Sequence, residues 1–452
     1  MNNLLKILFP LELHLHILQL EEYKLARFMR WNIKNLFVRK VFIKRPLVYT
    51  QKVKYLIVIY FVILFILLLV NIYLFILFLL EPFLGLVVAV LILKPYEIYN
   101  KERTIKETRN KILFLKSNKL KVIGITGSFG KTSTKEILYQ ILKTKYRALR
   151  TPESFNTIFG IARVVDLELD KNYDYFVCEM AAYKRGEIKE LCKMIPPDYG
   201  ILTGITTQHF ERFGSLENTV KAKFELVDSI KQKENIVFNL EDENILAQLE
   251  KLDIKTSKQD IYAKRVEFGN WGSDIVLDIN SKEFKVRTSL FGFANVKNII
   301  LAASMALRLG FGDKEIVNAI KNLEPFDNRN VLIKQDNLTI VNNTYSSNIA
   351  SFKETIETAR RVSGKKVLAT PGIVELGSLE TETHKELGKL CRDVFDRVVL
   401  VGVNNRTKSF AKGLVGNFEF IADKREDYFK KLEQLKKEYD WIFLENDVTE
   451  NY

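Results

Sequence analysis

Residues 121–134 constrain this chain more than any other stretch. They read Lys-Val-Ile-Gly-Ile-Thr-Gly-Ser-Phe-Gly-Lys-Thr-Ser-Thr. Val122–Ile125 is a short apolar run of the kind that forms a buried strand. Thr126, Gly127, Ser128, Gly130, Lys131, Thr132 and Ser133 follow. From Lys135 to Leu142 the pattern turns helical, with Ile137, Leu138, Ile141 and Leu142 on one face. Strand, glycine turn and helix in that order make a cradle for a phosphate. Glycines let backbone N–H groups approach the oxygens, and the helix N-terminus adds a favourable field. Lys131 brings a point charge, and Thr132 offers a hydroxyl to a magnesium ion. The common phosphate-loop pattern has a further glycine where Ile125 stands, so this is a shorter version. The bland reading, a tight turn with a solvated lysine, does not account for two close glycines before Gly-Lys-Thr.

The 452-residue chain has length enough for about three domains. Its net charge of +14 is concentrated: residues 1–121 hold 20 Lys+Arg against 7 Asp+Glu. That excess surrounds an apolar region, which argues for a membrane surface and against nucleic acid. Tyr55–Leu80 carries no charged side chain and is long enough to cross a bilayer. Glu81-Pro82 interrupts, and Phe83–Leu93 continues to Lys94-Pro95. Both flanks are basic, so the positive-inside rule puts both in the cytoplasm and requires a hairpin; a single pass would leave one flank outside. The expected location is therefore the cell membrane, multi-pass, with catalytic domains in the cytoplasm and lipids as partners. Leu4–Phe28 fits either a helix lying in the interface or one packed on the soluble part. Cys178, Cys192 and Cys391 lack metal-ligand spacing and suit free thiols in a reducing cytosol.

Beyond residue 120, apolar strands alternate with helical patterns. Tyr175–Met180 delivers Glu179 at a strand end, and Tyr199–Ile205 leads to His209. This rhythm implies an α/β fold with a mostly parallel sheet and ligands at the strands' C-terminal ends. Glu179, His209 and the glycine turn all fall at such ends. A carboxylate there can serve magnesium, and a histidine can orient metal-bound water. Alone, each residue is more often structural. Val266–Leu290 shows β-type alternation, and the α/β rhythm restarts at Leu338 in a smaller domain. The expected parts are 1–54 (basic amphipathic segment), 55–95 (transmembrane hairpin), 96–119 (basic linker), 120–325 (P-loop central domain) and 326–452 (Rossmann-like C-terminal domain).

Six ordered stretches carry a resemblance to the Mur ligase family. They begin at Gly124, Ser154, Glu179, Ile205, Phe291 and Gly372. The branch this chain most resembles joins D-alanyl-D-alanine to a UDP-muramoyl tripeptide in peptidoglycan synthesis. The resemblance implies an enzyme using ATP and Mg²⁺ to form an amide through an acyl phosphate. It implies a UDP-linked muramoyl-peptide acceptor with an amino acid or dipeptide as amine; the hairpin in place of a uridine-binding domain adds a lipid-linked acceptor as the alternative. It places Lys131 on the phosphates, Thr132 and Glu179 on a first metal, and His209 at a second. Lys223 stands where many members carry a carbamylated lysine, an anionic metal ligand; without the family it would read as a helix-surface lysine. Asn295 matches the adenine contact, Arg329 an arginine reaching the phosphates, and Asn343 a ribose contact. Asn156, Thr157 and Tyr345 fall on the substrate side.

The chain also departs from that pattern. The hairpin and linker stand where the family carries a uridine-nucleotide domain. Asn342 and Asn343 replace two aspartates, Ser346 an asparagine, and Ala294 a histidine. The end, from Glu445 to Tyr452, lacks a Lys-Gly-Ser-Arg element. These departures leave room for a ligase of another amine or polymer, or a non-catalytic nucleotide-binding scaffold.

Overall fold

The computed structural model describes residues 10–35, 46–153, 155–206, 213, 215–254, 261–326, 329–345, 347–374, 376–421 and 425–446. The chain divides into two compact units at Arg103/Thr104.

The first unit is helical: α1 (Leu11–Leu20), α2 (Leu25–Lys34), α3 (Gln51–Val70), α4 (Ile72–Leu80) and the start of α5 (Pro82–Asn118). The long apolar run is not one helix. Asn71 breaks it, its side-chain oxygen accepting from the N–H groups of Tyr73 and Leu74 to cap α4. The helix does not stop at Pro95, as the apolar pattern suggests, but runs through it. A proline there removes a single backbone donor, and the charged 96–116 segment keeps helical spacing. α1 packs on the apolar helices of its own unit: Leu15, Ile17 and Leu18 are buried with Val53, Leu56, Tyr60 and Leu86.

The second unit begins with alternating strands and helices: β1 (Lys121–Thr126), α6 (Lys131–Leu142), β2 (Ala148–Arg150), α7 (Ile158–Leu167), β3 (Tyr175–Glu179), α8 (Glu187–Met194), β4 (Tyr199–Leu202), α9 (Leu216–Ser229), β5 (Ile236–Phe238) and α10 (Glu243–Lys251). The five strands lie in the order β2-β3-β1-β4-β5, all parallel. Near-continuous apolar runs suit strands covered on both faces. Ile125 of β1 stands opposite Glu179 of β3, so the register sets that carboxylate beside the glycine turn.

A three-stranded antiparallel sheet follows, β6 (Ile261–Gly269), β7 (Gly272–Ile279) and β8 (Lys282–Thr288). Next come α11 (Phe293–Arg308) and α12 (Asp313–Lys321). The last sheet is built from β9 (Val331–Gln335), β10 (Leu338–Asn343), α13 (Ile349–Arg361), β11 (Lys366–Thr370), α14 (Glu380–Arg392), β12 (Arg397–Val401), α15 (Asn405–Leu414), β13 (Phe418–Ile421), α16 (Arg425–Leu435) and β14 (Trp441–Glu445). Its order is β13-β12-β11-β14-β10-β9, parallel except for β9. One buried core reaches from Ile123 and Ile137 through Ile299 and Phe352 to Phe443, so the two larger sheets share packing.

Ile123 lies fully buried in the central strand. Ile123→Ala is expected to lower unfolding free energy by about 2–5 kcal/mol. Urea denaturation checks this as a lower midpoint at unchanged slope.

Candidate active site

The turn after β1 folds tightly because two of its residues lack a side chain. Gly130 has φ 75°, and a Cβ there would lie 2.6 Å from Asn298 Oδ1. A Cβ on Gly127 would lie 2.1 Å from Thr203 Oγ1. Lys131 opens α6, and its Nζ donates to the carbonyls of Gly127 (2.9 Å) and Ser128 (3.1 Å). The amine therefore folds back over the glycine bend. Burial pulls its pKa down; Glu179 opposes that and Arg329 reinforces it.

Glu179 is the hub. It is 1% exposed. Thr132 Oγ1 donates to Oε2 at 2.8 Å, Asn156 Nδ2 donates to Oε1 at 3.2 Å, and Lys135 Nζ stands 3.7 Å from Oε2. The Glu179 N–H donates to Thr151 Oγ1 at 3.1 Å. Arg329 Nη2 donates to Thr132 Oγ1 at 3.4 Å, and its guanidinium lies 4.1 Å from the centre of the Tyr345 ring. Strand ends and a helix N-terminus thus meet at one carboxylate, and Arg329 reaches the hydroxyl that caps it.

Lys131, Thr132, Asn156, Glu179, Arg329 and Tyr345 line a cavity of about 380 Å³, with Asn295, Asn343 and Lys223 in its wall. Its charged lining residues are Lys131, Lys223, Lys297 and Arg329 against Glu179 and Glu354. That surplus of positive charge suits a polyanion. Lys223 is 3% exposed, and its amine donates to the Ala182 carbonyl at 3.5 Å. Burial drives its pKa well below the ordinary lysine value, helped by Lys131 and opposed by Glu187, Glu179 and Glu225. It is not the solvated lysine that helix spacing alone suggests. Lys221, on the same helix, is: it pairs with Glu217 at the surface.

Two expected contacts fall elsewhere. Thr126 is buried and donates to the Met180 carbonyl at 2.7 Å, tying β1 to β3. Thr157 accepts from the Gly160 N–H and caps α7. His209 lies outside the described residues. Lys135, Asn298 and Lys297 were not singled out in the sequence. Lys135 follows the phosphate-loop motif by one turn, the spacing that turns it back toward Glu179.

The Mur ligase middle domain matches residues 125–306. The UDP-N-acetylmuramoyl-tripeptide–D-alanyl-D-alanine ligase of Bacillus subtilis is 30% identical over 325 residues, 70% of this chain and 69% of that protein. The chain belongs to the Mur ligase family. The Escherichia coli ligase of the same name is 26% identical over 351 residues, 74% of this chain and 77% of its own. The crystal structure of MurF ligase from Thermotoga maritima in complex with ADP superposes with a TM-score of 0.68 at 27% identity, covering 76% of this chain and 80% of that one. MurF from Acinetobacter baumannii gives a TM-score of 0.66 at 25% identity, over 74% and 75%.

This Mur ligase is an ATP-dependent ligase that uses ATP and Mg²⁺. The donor set fits both. Thr132 Oγ1 and a Glu179 oxygen stand side by side as hard ligands, and magnesium takes its other oxygens from phosphates and water. Accordingly, no cluster of three or more His, Cys, Asp or Glu able to hold a metal occurs among the described residues. The scaffold alternative falls with the family assignment. So does the expected multi-pass membrane location. Close relatives are soluble cytoplasmic enzymes. The helices Gln51–Val70 and Pro82–Asn118 qualify as spans on length and composition alone, a test that core helices of soluble proteins also pass. Their apolar residues Val53, Leu56, Leu86 and Ala89 pack against one another, whereas Val58, Phe61, Phe65 and Leu69 are exposed.

Gly130→Ala forces a side chain into a left-handed residue, at about 1–2 kcal/mol, and pushes it against Asn298. We expect ADP affinity, measured by calorimetry, to fall by about tenfold or more while the fold persists.

Proposed function

We propose that this ligase joins the carboxylate of a muramoyl tripeptide to the amine of D-alanyl-D-alanine in peptidoglycan precursor synthesis. The observation that carries the reading is the buried Glu179, held between Thr132 and Asn156 at the glycine bend. The likeness to ligases of that name supports the choice of substrates. When bound, ATP supplies the phosphoryl group that makes the acceptor carboxylate an acyl phosphate, leaving ADP; the amine attacks the acyl carbon and loses a proton, so that the C–N bond forms as the C–O bond breaks and phosphate departs.

The protein's part is to position groups and neutralise charge. Lys131 and Arg329 face the phosphates and compensate the charge that shifts among their oxygens. Thr132 and Glu179 hold Mg²⁺. Ser128 and Ser133 border the phosphates, Asn295 takes the adenine and Asn343 the ribose. Asn156 and Tyr345 flank the acceptor. Lys223 supplies a further ligand as its carbamate: burial lowers the amine's pKa and so favours its neutral form, and a neutral amine is the form that adds CO₂.

ADP formation from ATP, UDP-muramoyl tripeptide and D-alanyl-D-alanine tests the assignment. Release should require both the acceptor and the dipeptide, and Lys131→Ala should slow it by about 10²–10³. Faster release with a different amine would overturn the substrate assignment. Activity should also fall in CO₂-depleted buffer and recover on adding bicarbonate. Lys223→Arg, which cannot form the carbamate, should show neither the fall nor the recovery.

A further inference from the structure

Glu445 ends β14 with its carboxylate fully buried. It stands in register beside Asn343, the last residue of β10. Asn343 Nδ2 donates to both carboxylate oxygens, at 3.0 and 2.9 Å. Ser347 Oγ donates to Oε1 at 2.5 Å and Thr355 Oγ1 to Oε2 at 2.9 Å. Four hydrogen bonds from neutral donors fill the acceptor capacity of one carboxylate. The next residue continues the clamp: the Asn446 N–H donates to the Asn343 carbonyl at 3.0 Å, and Asn446 Nδ2 donates to the Gly372 carbonyl at 2.7 Å.

A carboxylate is an acceptor only, so it decides which way the neighbouring amide points. Asn343 must turn its NH₂ toward Glu445, because its oxygen would be repelled there. Asn343 also lines the cavity, so Oδ1 is the atom left for a ligand. An asparagine free to flip could offer either a donor or an acceptor; this one is held as an acceptor. Hydroxyl groups of a sugar are the donors such an atom would read.

We propose that Glu445 is a positioning residue for nucleotide recognition, locking Asn343 with its oxygen toward the cleft so that the site selects a ribose bearing its hydroxyls. The inference rests on the ribose reading of Asn343 given above. Burial pushes the Glu445 carboxyl up to about 7, against the pull of its hydrogen bonds from Ser347, Asn343 and Thr355. Measurements at pH 8 therefore keep it ionised.

The test is calorimetric binding of ATP and of 2′,3′-dideoxy-ATP to the full chain and its variants, with thermal melting to confirm folding. The unaltered protein should bind ATP about tenfold more tightly, the scale of one lost hydrogen bond. In Glu445→Gln the preference should collapse toward unity, through weaker ATP binding and little change for the dideoxy compound. The exchange Asn343→Asp with Glu445→Gln restores a donor–acceptor pair across the two strands and should recover most of the preference, even where the single variant is unstable. Equal loss for both nucleotides in a folded Glu445→Gln, or no loss for either, would overturn the role of Glu445 while leaving the ribose reading intact. No preference in the unaltered protein would overturn the ribose reading itself.

Discussion

A buried carboxylate at the end of a central strand is costly unless its neighbours compensate it. Glu179 is compensated from every side that matters. The hydroxyl of Thr132 comes from the helix that opens the glycine bend, the amide of Asn156 from the next crossover, and the ammonium of Lys135 from one turn along α6. Arg329 reaches the same hydroxyl from the C-terminal domain. The geometry of the phosphate site thus follows from satisfying one charge. The register that sets Ile125 beside Glu179 brings the glycine bend to it.

The segment from β9 to β14 completes the cleft through polar contacts as well as shared core. Lys297 of α11 joins Glu354 of α13 at 3.0 Å and Glu241 at 3.2 Å. The Phe293 N–H donates to Thr358 Oγ1 at 3.1 Å. These contacts join α11, which carries Asn295, to α13, the helix that follows β10 and Asn343, so the two residues proposed to bind the nucleotide are held in one frame. Rearrangement of such contacts is how a domain can open for substrates and close over them.

Much of this was legible in the residues. Val122–Ile125, the glycines and the helical face from Ile137 to Leu142 announce strand, turn and helix. Long apolar strands such as Arg397–Val401 and Trp441–Glu445 stand out for the same reason. What stayed hidden depends on register and on tertiary contact. β9 exposes Lys334 and Gln335 at a sheet edge, and its apolar run is only the three residues Val331–Ile333, too short to announce a strand. Lys223 and Lys221 look alike in sequence; only packing separates the buried amine from the solvated one. Thr126 and Thr157 sit in the right motifs, yet their hydroxyls serve the strand and the helix cap. Glu445 gained meaning only once β14 was seen to pair with β10. The apolar N-terminal run shows the opposite failure. Its composition suggests a bilayer, but composition does not show that part of it is covered by α1 and that Asn71 divides it.

The central claim is that Glu179 and Thr132 form the protein's half of a cation site beside the glycine bend. Crystals grown with a non-hydrolysable ATP analogue and Mn²⁺ test it by anomalous scattering. The account predicts a manganese peak touching both side chains, with the analogue's phosphates over Lys131. A bound analogue whose phosphates lie away from the bend, or a manganese peak remote from Glu179, would contradict it.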